Sequence, residues 1–167
     1  SLFRYRARLG LRAKVTEQVG ADFRITTGNF TNPVSTNQSL GDYFNRSFIE
    51  LDRAYLSWNP NERWTLLGGR TPNPFFHTDL VWDEDLNFDG FSASFKPKFK
   101  PDWRGFLTGG FYLVQLGDAT TVTPDPKSKY LFGVQAGTDF DLGRQTKVKL
   151  GLAYYDYQNI QGIPNPA

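Results

Sequence analysis

The chain has 167 residues, with 19 Lys plus Arg against 17 Asp plus Glu, 16% aromatic residues, no Cys and no Met. A formal net charge of +2 provides no global basic field for nucleic acid, and the lack of Cys excludes a disulfide framework or a zinc ribbon. A mean hydropathy of −0.49 and the absence of any run of about 20 apolar residues exclude a helical membrane span, but not a transmembrane β-barrel, whose strands alternate lipid-facing and lumen-facing residues.

The first element is a strand over residues 3–13. Phe3, Tyr5, Ala7, Leu9, Leu11 and Ala13 share one face, and Arg4, Arg6, Arg8, Gly10 and Arg12 the other. Period two over this length means a strand, because at the helical period the Arg would be smeared around all sides. In the second strand Val19, Ala21, Phe23 and Ile25 alternate with Gly20, Asp22, Arg24 and Thr26. In the third, over residues 46–58, Ala54, Leu56 and Trp58 claim the apolar face. That phase would also place Glu50 and Asp52 there and turn Ile49 and Leu51 to the polar side, so a β-bulge near Asp52 and Arg53 is expected. Trp64, Leu66 and Gly68 face outward on the fourth strand, where Leu67 makes the second face apolar as well. Phe91, Ala93 and Phe95 form the apolar face of the fifth, and Leu107, Gly109, Phe111 and Leu113 that of the sixth. Tyr130, Phe132, Val134, Ala136 and Phe140 oppose Gly133, Gln135, Gly137 and Asp139 in the seventh; Val148, Leu150, Leu152 and Tyr154 oppose Lys147, Lys149, Gly151 and Ala153 in the eighth.

The connections alternate strictly between short ones (14–18, 59–63, 97–102, 141–145) and long ones (28–45, 71–90, 116–129). Long loops confined to one end are a feature of outer-membrane barrels, which have short periplasmic turns and long external loops. Strands of about ten residues at roughly 3.3 Å rise, tilted near 40°, span the barrel's apolar band of about 25 Å. Trp58, Trp64 and Phe140 fall at the short-turn level, and Phe3, Tyr5, Tyr130, Phe132 and Tyr154 near the long-loop level, where interfacial aromatic girdles belong. The expected fold is therefore all-β, an antiparallel up-and-down transmembrane β-barrel with about eight strands in residues 1–167 and no separate domains. A soluble lipocalin-like ligand-binding barrel would share the alternation but explains neither the loop asymmetry nor the aromatic belts.

Residues 69–95 contain Gly69-Arg70, Pro72-Asn73-Pro74-Phe75 and Asp79-Leu80-Val81-Trp82-Asp83, followed by a strand that opens Gly90-Phe91. This stretch resembles the putative porin family of Gram-negative outer membranes, as do the segments at 50–56 and at 6–12. The resemblance implies a porin in the bacterial outer membrane. Family members look more than twice this length, and the first strand here runs from the long-loop side to the short-turn side. The chain is accordingly expected to be an internal portion of a larger barrel.

Two sets of residues carry the candidate function. Arg4, Arg6, Arg8 and Arg12, with Asp22 and Arg24 on the next strand and Lys147 and Lys149 on another wall, are expected to line the pore. Guanidinium groups spaced about 6.6–7 Å apart on one strand face can hand an anion between sites, whereas pairing with lumen acids would only stiffen the wall. The long loop holds Asp79, Trp82, Asp83, Glu84, Asp85 and Asp89. It serves either as a constriction loop that places acids opposite the Arg row or as a packed external cap. Asp83, Glu84 and Asp85 lack the spacing and central Gly of a calcium loop, and His77, the single His, has no catalytic partner placed by a motif. The expected function is diffusion of small hydrophilic solutes through a water-filled pore with an anion preference. A non-conducting structural or adhesive barrel is the alternative. No enzyme activity, metal, cofactor or nucleic acid is expected; the partners are outer-membrane lipid, lipopolysaccharide and the solutes. The outer faces suit a monomer or a homotrimer equally.

Overall fold

The computed structural model describes residues 3–28, 32–41, 46–117, 128–143 and 146–160. They form strands and no helix: β1 (Arg4–Tyr5), β2 (Arg8–Lys14), β3 (Val19–Gly28), β4 (Gln38–Ser39), β5 (Phe48–Asn61), β6 (Trp64–Pro72), β7 (Asn87–Phe95), β8 (Lys98–Lys100), β9 (Trp103–Gln115), β10 (Lys129–Asp141) and β11 (Lys147–Gln158). The order β2-β3-β5-β6-β7-β9-β10-β11 is an antiparallel meander in which each strand pairs with its neighbours in sequence. β8 joins β9 across a turn, and β1 pairs with β4 in a separate two-stranded sheet. Among the described residues, β2 and β11 each have one neighbour in the large sheet, so it is open along both edges, an arrangement consistent with part of a barrel.

The alternation translates directly into two faces. Paired residues share a face, and the rows Leu11↔Phe23↔Ala54 and Phe91↔Phe111↔Phe132↔Asp156 are joined by ladder pairing. Leu9, Leu11, Leu56, Trp58, Phe91, Leu107, Leu152 and Tyr154 all lie exposed on this outward face. A sheet that presents so much apolar surface needs an apolar surrounding. Its two ends carry paired rings. At the short-turn end Trp64 packs on Phe95, Phe99 on Trp103, and Trp103 on Phe140; nearer the long-loop end Phe111 meets Tyr130 and Phe132. Tyr130 and Phe140 bracket most of β10. At roughly 3.3 Å per residue and a tilt near 40°, the distance between those rings along the normal is about 25 Å, the height of an apolar band.

The expected bulge is present. β3 and β5 pair Arg24↔Arg53 and then Ile25↔Leu51, leaving Asp52 unmatched. The extra residue turns Asp52 inward beside Arg53 and returns Ile49 and Leu51 to the outward face, where both are exposed.

Three expectations need correction. The first strand is broken, because at its long-loop end residues 4–5 pair with residues 38–39 of the folded-back first loop, while β2 begins at Arg8. The short connection 97–102 contains β8. The long connection 71–90 is shortened from both sides, since β6 runs to Pro72 and β7 starts at Asn87. Asp89 therefore sits on β7, not in the loop. It pairs in register with Arg70 and bonds it at 2.6 Å, and alternation gives it the face of Phe91. Most of the connection 116–129 lies outside the described residues.

Candidate functional site

The inner face has a polar half and an aromatic half, joined by the loop 73–86. On the polar half β2, β3 and β5 present a row of ion pairs fixed by register. Arg12 stands opposite Asp22 and donates its Nε–H to Oδ2 at 2.9 Å. Arg24 donates to Asp52 at the bulge, and Asp52 also accepts from Asn87 Nδ2 at 2.6 Å. Arg53 Nε–H donates to Asn87 Oδ1 at 2.8 Å, so the side-chain amide of Asn87 is clasped by both inward residues of the bulge. Asp52 is 5% exposed, and Nη2 of Arg24 is buried with no partner among the described residues.

The aromatic half lies on β7, β9, β10 and β11. Phe88, Tyr112 and Leu131 form a buried cluster with Phe75 of the loop, and Trp82, Leu86 and Tyr155 pack around it. The rings meet edge to face: Phe75 with Phe88, Tyr112 and Tyr155, and Trp82 with Phe88 and Tyr155. Such offset pairs each add about 0.5–1.5 kcal/mol beyond the area they bury. Space for the loop is made by glycine. A Cβ on Gly133 would stand 2.6 Å from Phe75 Cζ, and one on Gly137 would collide with the Phe106 ring.

The loop enters the sheet's interior. Gln135, midway along β10, accepts the Phe76 N–H through Oε1 and donates from Nε2 to the Phe76 carbonyl, both at 2.7 Å. Phe76 and Phe106 flank Lys149 Nζ at 4.7 and 4.9 Å, and Lys149 lies 3.9 Å from Asp139. Two turns bring the chain back: Val81 N–H bonds Thr78 O and Leu86 N–H bonds Asp83 O. The loop then reaches the opposite edge of the sheet. Asp85 accepts from Arg8 Nη2 at 2.6 Å and from Arg6 Nη1 at 3.1 Å, while Arg8 also bonds Thr36.

The residues singled out from sequence thus separate into groups. Arg6, Arg8, Arg12 and Arg24 are each matched to a carboxylate, and Lys149 to Asp139 and two rings; Arg4 and Lys147 carry no ion pair among the described residues. Trp82 packs into the aromatic cluster. Asp79, Asp83 and Glu84 are exposed on the loop, and Leu80 between them is 96% exposed. Among the described residues no three acidic, His or Cys side chains come together to hold a metal ion. His77 Nδ1 lies 2.8 Å from Phe75 O, within its own turn. Sequence reasoning missed Gln135, Asn87 and Phe76. The available signal was the inward set Gly133, Gln135, Gly137, a strand face with almost no side-chain volume of its own.

An antiparallel meander with an apolar exposed exterior, ring belts at two levels and a charged interior defines the wall of a β-barrel of the membrane-channel type. The family described as putative porin matches residues 1–167, and the chain belongs to that family. No curated protein matches the chain.

Proposed function

We propose that this chain forms part of the wall of a water-filled pore in the bacterial outer membrane, through which small hydrophilic solutes diffuse, and that loop 73–86 narrows the passage. The observation that carries it is the division of one sheet into an apolar exposed face and an ion-paired face, joined to porin family membership. The outward face suits lipid and, at its long-loop end, lipopolysaccharide, in a monomer or a homotrimer. Further strands complete the barrel: an eight-stranded barrel is filled by its own side chains, whereas this interior also holds a loop.

Arg4, Arg6, Arg8, Arg12, Asp22, Arg24, Lys147 and Lys149 line the pore in this scheme, and Asp79, Asp83 and Glu84 face the passage from the loop. Arg6 and Arg8 share one carboxylate and Arg4 has no ion pair among the described residues, and this under-compensated Arg row on the wall supports an anion preference. The loop's reach from β10 to β2 favours one other scheme, a plugged barrel that serves as a structural or adhesive element. Single-channel recording of the full-length protein in a planar bilayer decides: stepwise ion currents support the pore, and a folded, inserted protein without current refutes it.

A further inference from the structure

The structure assigns Gln135 as the positioning residue that sets the bore, with Gly133 beside it providing the seat. This rests on the pore proposed above and names what holds its narrowing loop in place. A side-chain amide in the middle of a strand facing an aqueous interior would ordinarily bond water. Gln135 is instead 4% exposed and spends both of its polar atoms on one residue, the N–H and the C=O of Phe76. That two-point bond fixes the position and the plane of the loop backbone at mid-depth of β10. Phe75 is locked next to it, 2% exposed, over the bare Cα of Gly133. The fastening is neutral and buried, so salt does not screen it.

Phe75 and Trp82 also pack in the aromatic cluster, but ring contacts lack the direction that fixes the loop backbone at this depth, and the other polar attachments lie elsewhere. Asp85 meets Arg6 and Arg8 where their side chains remain 45% and 28% exposed, and Asn87 already belongs to β7. Without the Gln135 clamp residues 75–84 lose their only mid-wall hydrogen bonds among the described residues, and without the Gly133 seat Phe75 is displaced from beside it; either loss lets the loop swing away from β10. Two passes of chain, each roughly 5 by 10 Å across, occupy about 100 Å² of cross-section, so a passage with a similar area left open doubles in section when they leave. Release then raises conductance about twofold.

The test compares full-length wild type, Gln135→Ala, Gly133→Val and a control, Ser94→Ala, which removes a buried inner-face hydroxyl bonded to Thr108. Single-channel conductance is recorded together with the largest neutral polyethylene glycol that enters the pore, a size readout that loss of stability alone does not move. Heat-modifiable migration certifies folding. Gln135→Ala and Gly133→Val are expected to conduct about twice as well and to admit larger polymers, with Ser94→Ala unchanged. A folded Gln135→Ala with wild-type conductance and cut-off overturns the assignment. Gly133→Val evicts Phe75 without touching Gln135, and so decides if Gln135→Ala does not assemble. In the wild type the Phe76 amide should exchange with solvent as slowly as a strand amide, and exchange at a free-loop rate also overturns it. Absence of current in the wild type refutes the pore itself, whereas a conducting wild type matched by both variants refutes only the role of Gln135.

Discussion

Replacing Asp52 by alanine removes the one carboxylate that the bulge turns inward. Arg24 is 19% exposed and Asp52 5%, so the pair is largely out of water, and deleting one member leaves a charged guanidinium without a counter-ion. Breaking a buried pair in this way costs about 3–5 kcal/mol, including the hydrogen bond from Asn87 at 2.6 Å. The natural comparison is Asp22→Ala. Its partner Arg12 is 81% exposed, and removing a solvent-screened pair costs less than about 1 kcal/mol. The difference of at least about 2 kcal/mol is a factor of about 30 in the unfolding equilibrium. Urea unfolding of the reconstituted protein, followed by tryptophan fluorescence, measures it. Asp52→Asn keeps an acceptor for Asn87 while removing the charge, and should fall between the two. An Asp52→Ala variant within about 0.5 kcal/mol of Asp22→Ala would refute the view that the bulge exists to bury this pair.

Three further outcomes follow from the same geometry. Neutralising Arg4, Arg6 and Arg8 together should shift the reversal potential in a salt gradient toward cation preference; an unmoved potential would make the row purely structural. Asp85→Asn removes the ionic tie at the β2 edge but leaves the Gln135 clamp, so conductance should stay near wild type while stability falls more at low salt than at high salt, where the exposed pairs are already screened; an equal loss at both salt concentrations would contradict a screened, exposed tie. The chain has no Cys, so in a protein free of other thiols a single introduced one reports access: Leu80→Cys should react with a small water-soluble maleimide near the rate of a free thiol, and Phe75→Cys far more slowly. Equal rates would show that the loop is not packed on the sheet.

Period-two alternation made most of the wall legible, because in a barrel each residue's side of the sheet is fixed by local sequence alone. Even the bulge could be read, since Ile49 and Leu51 are out of phase with Ala54 and Leu56, and one extra residue is the smallest repair. What remained hidden depends on residues far apart in the chain. Arg6 and Arg8 meet a carboxylate 79 and 77 positions away, and Phe76 meets Gln135 at a separation of 59. Nothing local to the Arg row distinguishes a free ladder from a paired one. The break between β1 and β2 has the same cause, as pairing with a folded-back loop overrides an unbroken alternation. Asp89 was misplaced because the long connection was carried to Gly90, while pairing with Arg70 extends the strand through it.

The meander has a consequence for how such a wall can change over time. Where every strand neighbours its sequence neighbours, a hairpin can be gained or lost without disturbing the pairing of the others, and circumference becomes a quantity that varies in steps of two strands. The loop restricts that freedom within this stretch. It is fastened to β10 at one end and to β2 and Arg6 just before it at the other, so removing a hairpin between them would leave the strap too long for its span, and adding one would leave it too short. These strands behave as a gauge of fixed width, and growth or shrinkage of the barrel is confined to the wall beyond β2 and β11.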